Sequence, residues 1–302
     1  FRGFCTASGV TSQKVAERYG AEYCTSDVEE LLEDQEIAAL VIATRHDLHA
    51  RLVMDALRAG KAVFVEKPLA TSVPDLLAVR RVIEETGNDR LFVGFNRRFS
   101  PLVVSCRDAI ATVKAPVVGV YRVNAGPVPE DSWVGDPVEG GGRIVGEMCH
   151  FVDTLAFLAG SDPLGVTAAR AGQSTLRQTE GEGLTATVRF HDGSLGTIHY
   201  VANGAASLSK ERVEAFSGSR AFILENYRKL TVFERNRRRT KRALGQAKGH
   251  QEEVRAFVSA VKDGTAMPLS PDAAIRVTAT TFAIERSLER GGEVLVSEIL
   301  AG

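Results

Sequence analysis

The sequence predicts an α/β protein: a Rossmann-type parallel sheet first, then an α+β domain built on a mostly antiparallel sheet. Over the first part of the chain, short apolar runs rich in Val and Ile alternate with helix-like segments, the rhythm of βαβ units with right-handed crossovers. Near Arg97 that rhythm gives way to strands in series with apolar and polar residues alternating, as in an antiparallel sheet with one packed and one open face. A length of 302 residues suits two domains better than one. The division is expected as 1–97 and 98–302.

Residues 1–7 read as a strand and 11–20 as a helix stopped by Gly20. Ser26 or Asp27 caps VEELLED, whose early acids suit a helix N-terminus. The continuous apolar run 38–44 predicts a strand buried on both faces. Helix 49–59 follows with Leu52, Val53, Ala56 and Leu57 on one face, closed by Gly60. KAVFV, a helix over 74–86 and LFVGF complete the alternation. The chain opens Phe-Arg-Gly-Phe-Cys, without methionine. Its first strand reads as the second of a dinucleotide fold, so a first strand and its glycine-rich turn are expected to be missing from this chain.

Beyond residues 100–113, a helix-like segment, come VVGVYRVNA, LGVTAARA, LTATVRFHD and SLGTIHYVA. His191-Asp192-Gly193-Ser194 makes a hairpin turn between the last two. ERVEAFSG and RAFILEN form another pair joined at Gly218-Ser219. Helices over 251–262 and 271–289 close the chain.

Composition narrows the partners. With 44% hydrophobic and 25% charged residues and a net charge of -1, nothing calls for nucleic acid or an anionic membrane. Cys5, Cys24, Cys106 and Cys149 show no C-x-x-C spacing, which points to free thiols in a reducing compartment. No apolar run spans a bilayer and no signal peptide is visible. The cytoplasm is the expected location.

Two stretches carry the chemistry. Residues 38–68 run strand, helix, strand and end on Glu66-Lys67-Pro68, where open α/β sheets place their ligands, beyond the carboxyl ends of the strands. A strand-end lysine, partly desolvated and beside a carboxylate, can have its pKa drawn toward neutrality. Successive strand residues point to opposite faces, so Glu66 and Lys67 meet one ligand only if the proline bends the chain. The second stretch, GGGRIVGEMCHFVD, sets His150 near a helix start after three glycines. An imidazole titrates near neutral pH. Glu147, His150 and Asp153 follow at three-residue steps, so a carboxylate is expected to orient the ring.

VEKPLA after an apolar strand, GFNRRFSP at the domain junction, and GGG before a helix with H-x-x-D together resemble the Gfo/Idh/MocA oxidoreductase family, over essentially the whole chain. The resemblance implies an NAD- or NADP-dependent enzyme that passes hydride between nicotinamide and a secondary alcohol or ketone of a sugar, cyclitol or similar polyol. It assigns Lys67 and His150 to catalysis, with a Lys67-Pro68 bond that is often cis. Thr6, Thr44, Arg45, His49, Glu66, Asn96, Arg97 and Trp133, beside Lys67, would touch the cofactor; Trp133 and Asp136 match W-x-x-D. Lys67, Arg97, Glu147 and His150 would touch substrate, and loop 126–140 would tune specificity. Members often carry Asp four residues before the histidine; this chain has Gly146 there and Glu147 one place later, turned by about 100° on a helix. Thr6 stands where an acid often holds the adenosine ribose, and no arginine accompanies it, which leaves NAD and NADP both open. SKERVEAFSG and QAKGHQEEVRAF resemble a branch fused to a zinc-type alcohol dehydrogenase domain. A homodimer or homotetramer through the open sheet face is also implied. Relatives that use the cofactor transiently as glycosidases or lyases, and a non-catalytic sugar- or protein-binding descendant, are the alternatives.

Three further patterns are read as structural. His46-x-x-His49 lacks a cysteine or carboxylate cluster to complete a metal site. Glu147-x-x-His150 lacks the four-helix bundle of a di-iron centre. The basic run 235–242 (RNRRRTKR) is expected to be a solvated connection between a strand and a helix.

Overall fold

Short strands and helices in strict alternation place their connections at the same edge of the sheet, and this builds the site. The computed structural model describes residues 1–126, 133, 136, 139–172 and 183–302. β1 (Gly3–Cys5), α1 (Gly9–Tyr19), β2 (Tyr23–Thr25) and α2 (Val28–Glu33) form one parallel unit. β3 (Ala39–Ile42), α3 (His49–Arg58), β4 (Ala62–Val65), α4 (Val73–Thr86) and β5 (Leu91–Val93) form a second, with strand order β3-β4-β5. Local chemistry starts the helices: the Asp27 carboxylate accepts the Glu29 N–H at 3.0 Å, and Ser72 Oγ accepts that of Asp75 at 3.2 Å.

Every residue of β4 is buried, as a strand paired on both sides must be. The run 38–44 departs from its expected two-sided burial. β3 pairs only with β4 among the described residues, and Val41 is 62% exposed. A strand at the edge of a sheet keeps one flank open however apolar its side chains. On α3, Ala50, Val53, Ala56 and Leu57 are buried, each larger side chain stabilising the packing by roughly 1.5–3 kcal/mol.

α5 (Pro101–Ala111) leads into a nine-stranded sheet. Its strands in chain order are β6 (Val118–Asn124), β7 (Pro163–Arg170), β8 (Leu184–Phe190), β9 (Leu195–Val201), β10 (Glu211–Ser217), β11 (Arg220–Glu225), β12 (Lys229–Glu234), β13 (Arg237–Arg242) and β14 (Glu293–Leu295). They lie in the order β13-β12-β11-β10-β6-β9-β8-β7-β14, and only β6 and β9 run parallel. Between β6 and β7 a π-helical turn (Ile144–Met148) runs into α6 (Cys149–Ala159). After β13 come α7 (His250–Asp263), α8 (Pro271–Arg290) and, past β14, α9 (Val296–Leu300).

One pair of glycines sets how closely α6 approaches the sheet. Gly119 on β6 and Gly196 on β9 are cross-strand partners. A Cβ on either would meet the Leu155 side chain of α6 at 2.8 or 2.9 Å. Glycine inside a strand marks such a close approach, and it fixes the depth of the helix that carries His150. α6 and α8 cover the inner face, where Ala186, Val188, Phe190, Ile198 and Tyr200 are buried.

Two expectations for this half are corrected. The run 235–242 is no connection: residues 237–242 form β13, fully exposed and paired to β12. Its charges suit a sheet edge, where arginine and lysine discourage further strand pairing. The helices over 251–262 and 271–289 do not close the chain, since β14 adds an edge strand to β7 before α9. None of the four cysteines forms a disulfide, and no helix among the described residues is long and apolar enough to cross a membrane.

Candidate active site

The carboxyl ends of β4 and β5 open onto a cavity of about 280 Å³. Glu66, Lys67, Asn96, Arg97, Glu147, Phe151 and His150 line it. The other wall comes from Lys210, Lys248, His250 and Glu253, which lie in SKERVEAFSG and QAKGHQEEVRAF but were given no site role by the sequence.

Lys67 follows β4 directly, and the Lys67-Pro68 peptide is cis. Both Glu66 and Lys67 reach the cavity despite their alternation along the strand. Lys67 Nζ donates to the Gly146 carbonyl at 2.9 Å, so the lysine meets main chain at the position where relatives often carry an acid. A Cβ on Gly146 would lie 3.0 Å from the Gly140 carbonyl, a contact that leaves little room for any side chain. The preceding turn is itself tight: Gly141 has φ +71°, and a Cβ there would meet Thr71 at 3.2 Å.

His150 is buried in the first turn of α6, and its Nδ1 has no hydrogen-bond partner among the described residues. Burial, then the Arg97 and Lys67 cations, push its pKa well below the ordinary value, so the ring is neutral. Neither expected carboxylate orients it. Glu147 accepts from the Tyr200 hydroxyl, which in turn accepts from Arg143 Nε at 2.7 Å. Asp153 is fully buried and takes both of its oxygens to Arg98 Nε at 3.0 Å. The wide π turn before α6 breaks the simple three-residue stacking on which that expectation rested.

Arg97 is held by a partner 114 residues away: its Nε and Nη2 donate to Glu211 at 2.8 and 3.2 Å. Glu211 is fully buried at the start of β10 and also accepts from Lys248 Nζ at 2.7 Å and the Tyr121 hydroxyl at 2.5 Å. Burial pushes this carboxyl up, but Arg97 and Lys248 outweigh it and hold it at about 2. Asn96 Nδ2 is likewise engaged, donating to the Lys248 carbonyl at 2.9 Å beside His250 Nε2 at 3.1 Å. Gly249 makes this junction possible. It has φ +90°, and a Cβ would strike the Asn96 carbonyl at 2.3 Å and the Ser100 nitrogen at 2.6 Å.

Glu253 sits in the first turn of α7, 2% exposed, with Oε2 unpartnered among the described residues. Burial and then the neighbouring Glu66 carboxylate push it up to about 8, so it is largely neutral at pH 7.

Other expected cofactor contacts lie elsewhere. His49 is completely buried. Its Nδ1 faces the Pro68 carbonyl at 2.8 Å and its Nε2 that of Thr44 at 3.2 Å, so it braces the strand end. Trp133 packs edge-on against His46, with ring centroids 4.8 Å apart. His46 Nδ1 meets the Gly140 carbonyl at 2.8 Å, and burial lowers its pKa to about 4. Arg45 pairs with Glu139. Thr44, exposed, and Thr6, half-buried, follow β3 and β1, their hydroxyls on the carbonyls of Arg45 and Ser8. The expected specificity loop 126–140 falls largely outside the described residues. Among those described, no three His, Cys, Asp or Glu groups gather as metal ligands.

The cavity's second wall was hard to read in advance. Lys210 and Glu211 begin a strand and Lys248 to Glu253 begin a helix, and neither boundary says what it faces. The signals pointing there are the motifs SKERVEAFSG and QAKGHQEEVRAF, the latter with two acids opening a helix, and neither names a side chain for the cavity.

Comparisons with known proteins agree with the fold. Residues 1–95 match the sequence family described as oxidoreductase family, NAD-binding Rossmann fold, and residues 112–296 match its C-terminal alpha/beta domain. A myo-inositol 2-dehydrogenase of Thermotoga maritima is 28% identical over 306 aligned positions, 95% of this chain and 88% of that protein. An inositol 2-dehydrogenase of Rhizobium meliloti is 36% identical over 166 positions, 53% of this chain and 47% of that protein, so this match spans about half of the relative. A solved levoglucosan dehydrogenase in complex with NADH and levoglucosan superposes with a TM-score of 0.84 over 98% of this chain and 90% of its own, at 21% identity. At that identity the likeness is one of fold.

Proposed function

The chain belongs to the Gfo/Idh/MocA oxidoreductase family, and on that footing we propose that it transfers hydride between a nicotinamide cofactor and a secondary alcohol or ketone of a sugar, cyclitol or related polyol. The observation that carries the reading is the meeting of Lys67 and His150 on one cavity at the carboxyl ends of parallel strands. The inositol dehydrogenases among its relatives support the substrate class.

The cavity suits a nicotinamide on two counts. Glu66 is half-buried with its carboxylate engaged in no hydrogen bond among the described residues, an acceptor for a carboxamide N–H. His150 lines the same cavity and adds a second polar side chain to it. When bound, the nicotinamide ring accepts or supplies the hydride.

The chain's residues manage the oxygen. Lys67, steered by the Gly146 carbonyl, holds the substrate hydroxyl. As the C–H hydride departs and the carbonyl forms, the hydroxyl proton passes to the Lys67 amine or to the neutral imidazole of His150. In the reducing direction Lys67 as ammonium donates to the carbonyl oxygen and returns the proton to it. A neutral imidazole is the form that can accept a proton, and the cations around His150 favour its quick release again. Thr6 places no acid toward the adenosine ribose and no arginine beside it, so NAD and NADP are both to be titrated.

Association into a homodimer or homotetramer through the open sheet face belongs to the same reading. Leu195, Val118 and Phe216 are register partners across β9, β6 and β10, 40%, 52% and 42% exposed. An apolar row of this kind marks an interaction surface.

The test is Lys67→Met assayed with NAD and NADP on myo-inositol and related polyols. Loss of proton transfer lowers kcat by about 10²–10⁴ while the melting temperature holds. Full activity in the variant refutes the role. Gly146 in place of an acid favours one other reading, a non-catalytic sugar-binding descendant. Absence of saturable NADH or NADPH binding would select it.

A further inference from the structure

At the end of the cavity where β10 and α7 begin, the charges do not balance. Arg97 and Lys248 share a single carboxylate, Glu211. Lys210, the residue just before Glu211, lines the same cavity, is exposed, and makes no ion pair among the described residues. The one other acid on this wall, Glu253, is 2% exposed, and burial and Glu66 push it up to about 8, so it adds little negative charge at neutral pH. His250 opens α7 beside Lys248, and Gly249 supplies no side-chain cap to that helix. The helix dipole therefore adds partial positive charge to the same corner. The remaining charged residues lining the cavity are Lys67, Glu66 and Glu147.

We infer that the polyol bound here carries an anionic group, a carboxylate or phosphate, held between Lys210 and Lys248 while its reacting hydroxyl lies at Lys67. This rests on the dehydrogenase reading only for the reacting end; the anion corner stands on its own charges. A neutral sugar would leave Lys210 without a partner and the excess charge of Arg97 and Lys248 uncompensated. An anionic group makes charge-assisted hydrogen bonds to both amines. Lys210 in the open and Lys248 half-buried divide the work: one attracts the anion from solvent, the other holds it where water is fewer.

The test is calorimetric titration of the whole chain, with and without NAD, using D-glucuronate, D-galacturonate, D-gluconate and D-glucose 6-phosphate, each against its neutral parent sugar or alditol. At least one anionic probe is expected to bind about tenfold or more tightly than its parent, the equivalent of one charge-assisted hydrogen bond. The advantage should shrink as salt rises. Lys210→Ala should reduce it several-fold and Lys210→Arg should restore it. Tight uronates with a weak sugar phosphate assign the corner to a carboxylate, and the reverse assigns it to a phosphate. Equal binding of every acid and its parent, or a preference that survives Lys210→Ala, overturns the inference. Because binding is read without turnover, a failure of hydride transfer leaves this result intact, and turnover of neutral sugars alone would refute the anion corner while sparing the redox reading.

Discussion

Replacing Glu211 by Gln removes one charge and almost no volume at a carboxylate that is fully buried. Three donors converge on it: the Arg97 guanidinium, the Lys248 amine and the Tyr121 hydroxyl. In the variant, two cations remain near an amide that must also donate. The gap between about 2 in the fold and the ordinary 4.5 corresponds to about 3 kcal/mol. Breaking a buried pair by removing one partner costs about 3–5 kcal/mol, which agrees. Because the folded pKa is depressed, this stability is complete above the ordinary carboxylate pKa and is lost as pH falls toward 2. Urea unfolding of the Glu211→Gln variant at pH 7 should therefore show a loss of about 3 kcal/mol, shrinking to about half at pH 3. A variant as stable as the parent at pH 7, or a difference indifferent to pH, would refute the charge network as the organiser of this wall.

Other outcomes follow from the same coordinates. Glu253 carries a raised pKa, about 8 against 4.5, so the protein loses stability as pH rises from about 4.5 through 8. Glu253→Gln should remove that slope and stabilise the fold by up to about 4 kcal/mol at pH 8, read from melting temperatures across pH. Gly249→Ala would press a Cβ to 2.3 Å from the Asn96 carbonyl at φ +90°. It should cost about 3 kcal/mol or more, seen as a large fall in the urea midpoint. Gly146→Asp meets the Gly140 carbonyl at 3.0 Å without a strained φ. Its cost should be about 1–3 kcal/mol, and a stability unchanged on denaturation would show that the turn yields more easily than its geometry implies.

How much was legible depended on distance along the chain. The βαβ rhythm, the glycine stops, the hairpins at residues 191–194 and 218–219 and the strand-end lysine were all readable, because each is encoded within a few residues by periodicity or turn chemistry. The shared cavity of Lys67 and His150 was also foreseeable, since the family motifs name both. For His49, the place near the start of a helix was clear, but not that this side of α3 faces the Pro68 and Thr44 carbonyls. Arg97 was placed at the site from its motif and lines the cavity, but its pairing with Glu211 across 114 residues was not legible. The basic run 237–242 became an edge strand because β12 offered it a free edge, which no local property of six charged residues announces.

By itself the amino-acid order determined which segments are strands and helices, which residues stand at strand ends, and which family the chain resembles. These are matters of backbone preference and of side-chain spacing along one element. Tertiary structure alone decided the partners: that Gly146 presents a carbonyl to Lys67, that one buried carboxylate gathers two cations from distant segments, and that Lys210 lines the cavity without an ion pair among the described residues. Pairing of this kind is set by which elements stack and at what depth, and in this fold that depth follows from close approaches such as Leu155 over Gly119 and Gly196.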